Sequence, residues 1–242
     1  LILKNLVESL KEVHFQVKII ELGGLRLVVK EYGREPGVLK WAFIKASTLP
    51  FQMYPFEMSP FNRLAREVKA FKSLRGFMTP RVILVDYRNI LLVREFVNGS
   101  NDPQILDQRV GELGLALSVV HNQGFSLGDS KVDNIVFNPE TEKWFIIDGE
   151  QVVESATPQT MIWDLLLFLS SYLLLTIERS PRKLLDFRRR MLLFLNSYLE
   201  NISVRKDLSN AVRTSQVKLI SSLMLPYPYS RVFLETIRAS SS

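Results

Sequence analysis

The spacing of apolar positions changes character along the chain, and the changes mark its elements. Residues 1–13 place Leu and Val at helical intervals. Residues 15–22 and 25–32 instead alternate, or run in β-branched residues, on either side of Gly23-Gly24, the pattern of two strands around a tight turn. Residues 38–46 fit a strand or a helix equally. Ser59-Pro60 is a helix start, with a serine cap and proline in the first turn, and Leu64, Val68 and Phe71 then line one face through residue 74. Residues 81–85 and 90–96 read as strands around the polar turn 86–89. Helical spacing returns over 103–122, and a short hairpin of 135–137 and 144–147 turns at Asn138-Pro139-Glu140. Everything after residue 160 reads as helix, broken near Ser180-Pro181 and near Asn201-Ile202. Strands first and helices last predict an α+β protein in two lobes, 1–98 and 99–242.

One apolar stretch complicates this picture. Residues 161–177 approach the length of a membrane span, yet they contain Asp164, Ser170 and Ser171. A helix buried on all sides within a helical lobe is the expectation, with no membrane span. With 242 residues, 47% hydrophobic and 23% charged, the chain can bury a sizeable core. It contains no cysteine and only His14 and His121, which excludes disulfides, thiolate metal sites and a histidine-rich metal centre. No secretory signal heads the sequence as given, and a cytoplasmic location is expected, although a chain beginning at Leu1 leaves upstream residues open. A net charge of +6 favours negatively charged partners, from nucleotide phosphates to acidic or nucleic-acid-associated proteins, without choosing among them.

The densest chemistry lies between His121 and Glu150. Leu127-Gly128-Asp129-Ser130-Lys131-Val132-Asp133-Asn134 leads into the hairpin, and Asp148-Gly149-Glu150 follows it. The beginning of one strand of an antiparallel hairpin lies beside the end of the other, about 5 Å away. Asn134 and Asp148 therefore converge at one end, with Asp129 and Lys131 on the loop leading in. A carboxylate, an amide oxygen and an ammonium in one small space suit a magnesium-bound polyphosphate, because magnesium takes one or two protein oxygens and fills its octahedron with phosphate and water.

The same residues resemble the protein-kinase-like superfamily. Asp129, Lys131 and Asn134 keep the Asp, +2 Lys and +5 Asn spacing of a kinase catalytic loop, and Asp148 falls where the metal-binding aspartate belongs. The resemblance implies an ATP- and Mg2+-dependent phosphotransferase, most simply a serine/threonine protein kinase with a protein acceptor. It makes Asp129 the residue that orients the acceptor hydroxyl, Lys131 the neutraliser of charge on the moving phosphoryl group, and Asn134 and Asp148 the metal ligands. Leu27-Val28-Val29-Lys30 resembles the strand of the phosphate-binding lysine, with Glu67 as its helix partner. Residues 91–99 resemble the hinge strand, whose backbone at Glu95 and Val97 would meet adenine. Lys40 is a rival for the phosphate lysine, in which case Gly23-Gly24 would cover the phosphates. Trp163-Asp164 resembles the helix start whose aspartate braces the catalytic loop.

The chain departs from the common kinase pattern in several places. Leu127-Gly128 stands in place of His-Arg, Asp148-Gly149-Glu150 in place of Asp-Phe-Gly, no Ala-Pro-Glu follows, and no Gly-x-Gly-x-x-Gly is present. These reductions are similar to the RIO-type kinases, the small kinase of the tRNA threonylcarbamoyladenosine complex and the lipopolysaccharide kinases. They keep two alternatives open: an ATPase working inside a complex, and a small-molecule or sugar kinase. Outside that class, the basic segment 179–190 would suit a non-catalytic module gripping nucleic acid or lipid phosphates.

Overall fold

A computed structural model describes residues 17–34, 53–179 and 181–240. The helical pattern of 1–13, the ambiguous stretch 38–46 and Lys40 lie outside the described residues. The architecture is mixed α+β, with a small antiparallel sheet lobe followed by a mainly helical one. Strands β1 (Val17–Leu22), β2 (Leu25–Glu31), β3 (Val82–Asp86) and β4 (Leu91–Glu95) form one sheet in the order β1-β2-β4-β3, antiparallel throughout. Residue 90 was expected inside β4. Its φ of 54° puts it in the turn instead, so the strand begins at Leu91.

Helix α1 (Pro60–Ser73) crosses the sheet. Ser59 caps it, its side chain accepting from the Asn62 N–H, and Pro60 occupies the first turn, where a missing N–H costs nothing. Leu64, Val68 and Phe71 lie on one face and form a buried cluster with Leu92 of the sheet and Tyr32, which follows β2. Each such side chain contributes about 1.5–3 kcal/mol by leaving water. That burial fixes which residues of α1 look into the molecule, and Arg63 and Glu67 are among them.

The second lobe is built on α2 (Pro103–Asn122), α3 (Pro158–Arg179), α4 (Leu184–Asn201), α5 (Arg205–Ala211), α6 (Ser215–Met224) and α7 (Tyr229–Ala239). Among the described residues, α3 is the one helix long and apolar enough to cross a membrane, but 72% of its apolar window is buried inside the protein. It is the central core helix, packed on α4, α5 and α6. The tail has two breaks beyond those expected. Thr214 caps α6 by accepting from the Val217 N–H, and Pro226 and Pro228, which lack an N–H, separate α6 from α7.

Between the lobes sits the hairpin of β5 (Ile135–Asn138) and β6 (Lys143–Ile146). Backbone bonds stitch it to both neighbouring connections. Met78 N–H donates to Trp144 O and Ile146 N–H to Met78 O, while Ser100 and Phe137 exchange a pair. The hairpin is thereby held at the junction of sheet and helices, with its open end facing β2 and α1.

Candidate active site

Strand alternation places Lys30 inside. Val28, Lys30 and Tyr32 share the buried face of their segment, and the Lys30 side chain is enclosed. Its Nζ lies 2.7 Å from Glu67 Oε2, 3.1 Å from Asp148 Oδ1 and 3.1 Å from Glu150 Oε2. Three separate segments thus converge on one ammonium: a strand, a helix and the turn after the hairpin. Burial alone would lower the pKa of Lys30, but Asp148 and Glu67 together hold it well above the usual value, so the amine stays charged. Burial pushes the Glu67 carboxyl up to about 7, against the pull of Lys30. Burial also opposes ionisation of Asp148, yet Lys30 and the Glu150 N–H outweigh it and bring its pKa below the ordinary carboxylate value.

At the hairpin end, the Ile147 N–H donates to Asn134 O at 3.0 Å, which sets Asn134 and Asp148 at the same end of the ribbon. Asn134 Nδ2 donates to Asp129 O at 2.8 Å, turning its amide oxygen away from that loop. Asp129 Oδ2 pairs with Lys131 Nζ at 2.8 Å, and Lys131 is close enough to Asp148 for each to shift the other's ionisation. Lys30, Glu67, Asp129, Lys131, Asn134 and Asp148 are therefore gathered at one junction. The set includes oxygen donors of the kind magnesium takes. Asp148 offers Oδ2, since Oδ1 already takes Lys30 and Glu150 N–H, and Asn134 offers Oδ1.

The segment expected to meet a base is less open than that reading requires. Glu95 N–H donates to Arg81 O, and Glu95 O accepts from Arg94 Nη1 at 3.2 Å. Among the described residues nothing pairs with the backbone of Val97.

The loop holding Asp129 is fixed from below by Asp164. This buried carboxylate accepts from Leu127 N–H at 2.6 Å and Gly128 N–H at 2.7 Å, and it lies 3.1 Å from His121 Nε2. Ser130 Oγ donates to Asp164 O, and Trp163 Nε1 donates to Gly128 O. Asp164 is thus the brace of the loop, although it lies in the second turn of α3 and not at the helix start, which is Pro158. Replacing Asp164 with alanine strands two buried N–H groups and removes the partner of His121 Nε2, with Nδ1 keeping the Tyr198 hydroxyl. We expect Asp164→Ala to cost about 3–5 kcal/mol in a urea denaturation curve, the range for removing one partner of a buried charged network. A midpoint equal to wild type would show that the carboxylate holds nothing.

Gly128 stands where most kinases carry arginine, for a spatial reason. Its φ is +75°, and a Cβ there would lie 2.5 Å from the ring of Tyr54. The Tyr54 hydroxyl reaches Ser126 O at 3.0 Å and Gln151 O at 2.7 Å, tying the loop before Asp129 to the turn after Asp148. Gln151 in turn exchanges two bonds with the backbone of Glu57. Gly149 is constrained less severely: its φ is not positive, and a Cβ there would meet Ala70 Cβ at 3.0 Å.

No family model matches this sequence, and no curated protein matches it. Among solved structures, the chain is similar to WaaP in complex with acyl carrier protein, at 14% identity and a TM-score of 0.47, over 95% of this chain and 91% of that one.

Sequence reasoning passed over Tyr32, Tyr54, Arg63, Arg94 and Glu150. Tyr32 and Arg63 carried a signal, being two residues past Lys30 on a strand and four before Glu67 on a helix. The Tyr32 hydroxyl donates to Glu67 Oε2, and Arg63 Nη1 donates to Glu150 Oε1 at 3.2 Å. The basic segment 179–190 is partly committed internally. Lys183 and Arg190 both pair with Asp107, at 2.8 and 3.0 Å, leaving Arg179, Arg182, Arg188 and Arg189 at the surface.

Proposed function

We propose that this chain is an ATP- and Mg2+-dependent phosphotransferase of kinase-like fold, with a serine or threonine hydroxyl of a protein as acceptor. The observation that supports it is the convergence of β2, α1 and the post-hairpin turn on the Lys30 ammonium. Held by Glu67, Lys30 presents a fixed positive charge to the α- and β-phosphates. Asp148 and Asn134 would hold a magnesium ion, which would neutralise charge on the phosphate oxygens. Asp129 accepts the hydrogen bond of the acceptor hydroxyl and aligns its oxygen with the γ-phosphorus. Lys131, charged and paired with Asp129, offsets negative charge on the group in transfer. Val97, whose backbone is unpaired among the described residues, offers its N–H and C=O to the base, while Glu95 has its N–H committed to Arg81 O and keeps only the second lone pair of its carbonyl. Positioning and electrostatics carry the reaction, as phosphoryl transfer requires little covalent chemistry of the protein.

Only nine residues separate Asp148 from the first residue of α3, Pro158. That leaves little chain for docking an extended peptide, which keeps water or a sugar hydroxyl as second readings of the acceptor. The deciding experiment is incubation with labelled ATP and magnesium, scoring self-phosphorylation, free phosphate and transfer to a generic protein side by side. Calorimetry addresses the metal. ATP affinity is expected to depend on magnesium in the wild type and to lose most of that dependence in Asp148→Ala. Equal affinity with and without magnesium in both proteins would remove Asp148 from the site.

A further inference from the structure

The proposed reaction leaves one buried acid unused. Glu150 occupies the third position of the turn, where the resembling kinases carry glycine, and its side chain is 4% exposed. Its Oε2 lies 3.1 Å from Lys30 Nζ, and its Oε1 accepts from Arg63 Nη1 at 3.2 Å. Arg63 is fully buried and precedes Glu67 by one turn on α1. Helix α1 therefore presents an acid to Lys30 and a base to Glu150, and Glu150 returns to Lys30. The circuit passes through β2, α1 and the turn bearing Asp148.

An ammonium has three N–H donors, and a lysine with one acid partner can still swing on its four-carbon stem. Here Glu67 and Asp148 accept hydrogen bonds from the amine, and Glu150 stands beside it as an ion pair at 3.1 Å. The geometry points to Glu150 as a positioning residue for the phosphate-binding lysine: with Arg63 it locks Lys30, α1 and the Asp148 turn into one assembled unit. This rests on the reading of Lys30 given above. In the common motif, packing of a phenylalanine decides whether turn and helix are in register. In this chain an ion-paired glutamate takes that part, with Gly149 drawn tight against Ala70.

The charge of Glu150 has a second effect, which separates positioning from mere support. A third carboxylate beside the phosphate site repels a polyphosphate while it orients the lysine. Its loss therefore slows transfer without weakening nucleotide binding. The test uses Glu150→Gln and Glu150→Asp, with calorimetric affinity for a non-hydrolysable ATP analogue plus magnesium, total turnover of labelled ATP, and thermal melting.

Glu150→Gln is expected to lower turnover by roughly 10- to 100-fold, the equivalent of one charge-assisted contact, while affinity stays equal or tightens. Glu150→Asp, with its charge on a shorter arm, is expected to recover wild-type affinity and part of the turnover. Should Glu150→Gln fail to fold, Arg63→Lys carries the test, with lower turnover expected at unchanged affinity. Unchanged turnover overturns the proposal, and so does a fall in affinity matching the fall in turnover, the mark of a merely structural residue. A wild type that binds no nucleotide removes the underlying reading as well, whereas binding that is normal with turnover indifferent to Glu150 removes this inference alone.

Discussion

Asp129→Asn is expected to reduce phosphoryl transfer by ~10²–10⁴-fold, the usual contribution of a positioned acid/base group, with nucleotide affinity near wild type. The substitution keeps the size of the side chain but removes the negative charge that aligns the acceptor hydroxyl. It also weakens the 2.8 Å pair with Lys131, whose pKa that carboxylate helps to raise. The loop itself survives, because its backbone is held by Asp164 and by Asn134 Nδ2 donating to Asp129 O, neither of which involves the substituted carboxylate. Measuring phosphate release and protein labelling together also separates acceptors. A protein kinase loses labelling having released little phosphate, and an ATPase loses phosphate release having labelled little. ATP affinity falling as far as turnover would make Asp129 a metal or structural residue.

Lys30→Ala is expected to be comparably damaging, by ~10²–10³-fold in turnover, the scale for removing a fixed donor from a developing charge. Unlike Asp129→Asn, it also affects binding and stability. Glu67, Asp148 and Glu150 lie close enough that one oxygen from each falls within 4.8 Å of the others, and Lys30 is the cation they share. Without it, like charges face one another in a buried space, and Glu67 in particular shifts toward its protonated form. Lys40→Ala, by comparison, is expected to leave turnover largely intact. The reverse ranking would move the phosphate-binding role to Lys40. Turnover of the two variants at saturating ATP, with melting temperatures to confirm folding, checks this.

Part of this arrangement was legible because short-range rules wrote it. Hairpin closure brings Asn134 to Asp148 by local geometry, whereas Lys30 and Glu67 are legible through a resemblance, for which the structure supplies the local reasons: strand alternation with Val28 and the helix start at Ser59-Pro60. Each needs only local geometry plus one pairing. What stayed hidden depends on three-dimensional neighbours without sequence spacing. Nothing near Gly128 announces that the ring of Tyr54, 74 positions earlier, fills the space of a side chain. Glu150 read as a departure from a motif because its partner Arg63 is 87 residues away. The two late breaks in the helical tail were missed because apolar periodicity runs through 208–225 with little interruption, and only the capping by Thr214 and the prolines at 226 and 228 punctuate it.

The close seating of Gly149 has a consequence for pharmacology. On the proposed reading of the site, the turn itself carries no aromatic side chain for an inhibitor to expel, and Ala70, Phe71 and the Glu67 backbone stand directly against Gly149. Compounds against this protein would have to work from the front, where the exposed part of Asp148 and the Asp129–Lys131 pair offer polar handles. Selectivity would then come from the charges around Lys30, favouring small cationic or metal-chelating groups over the elongated apolar tails that suit phenylalanine-gated enzymes.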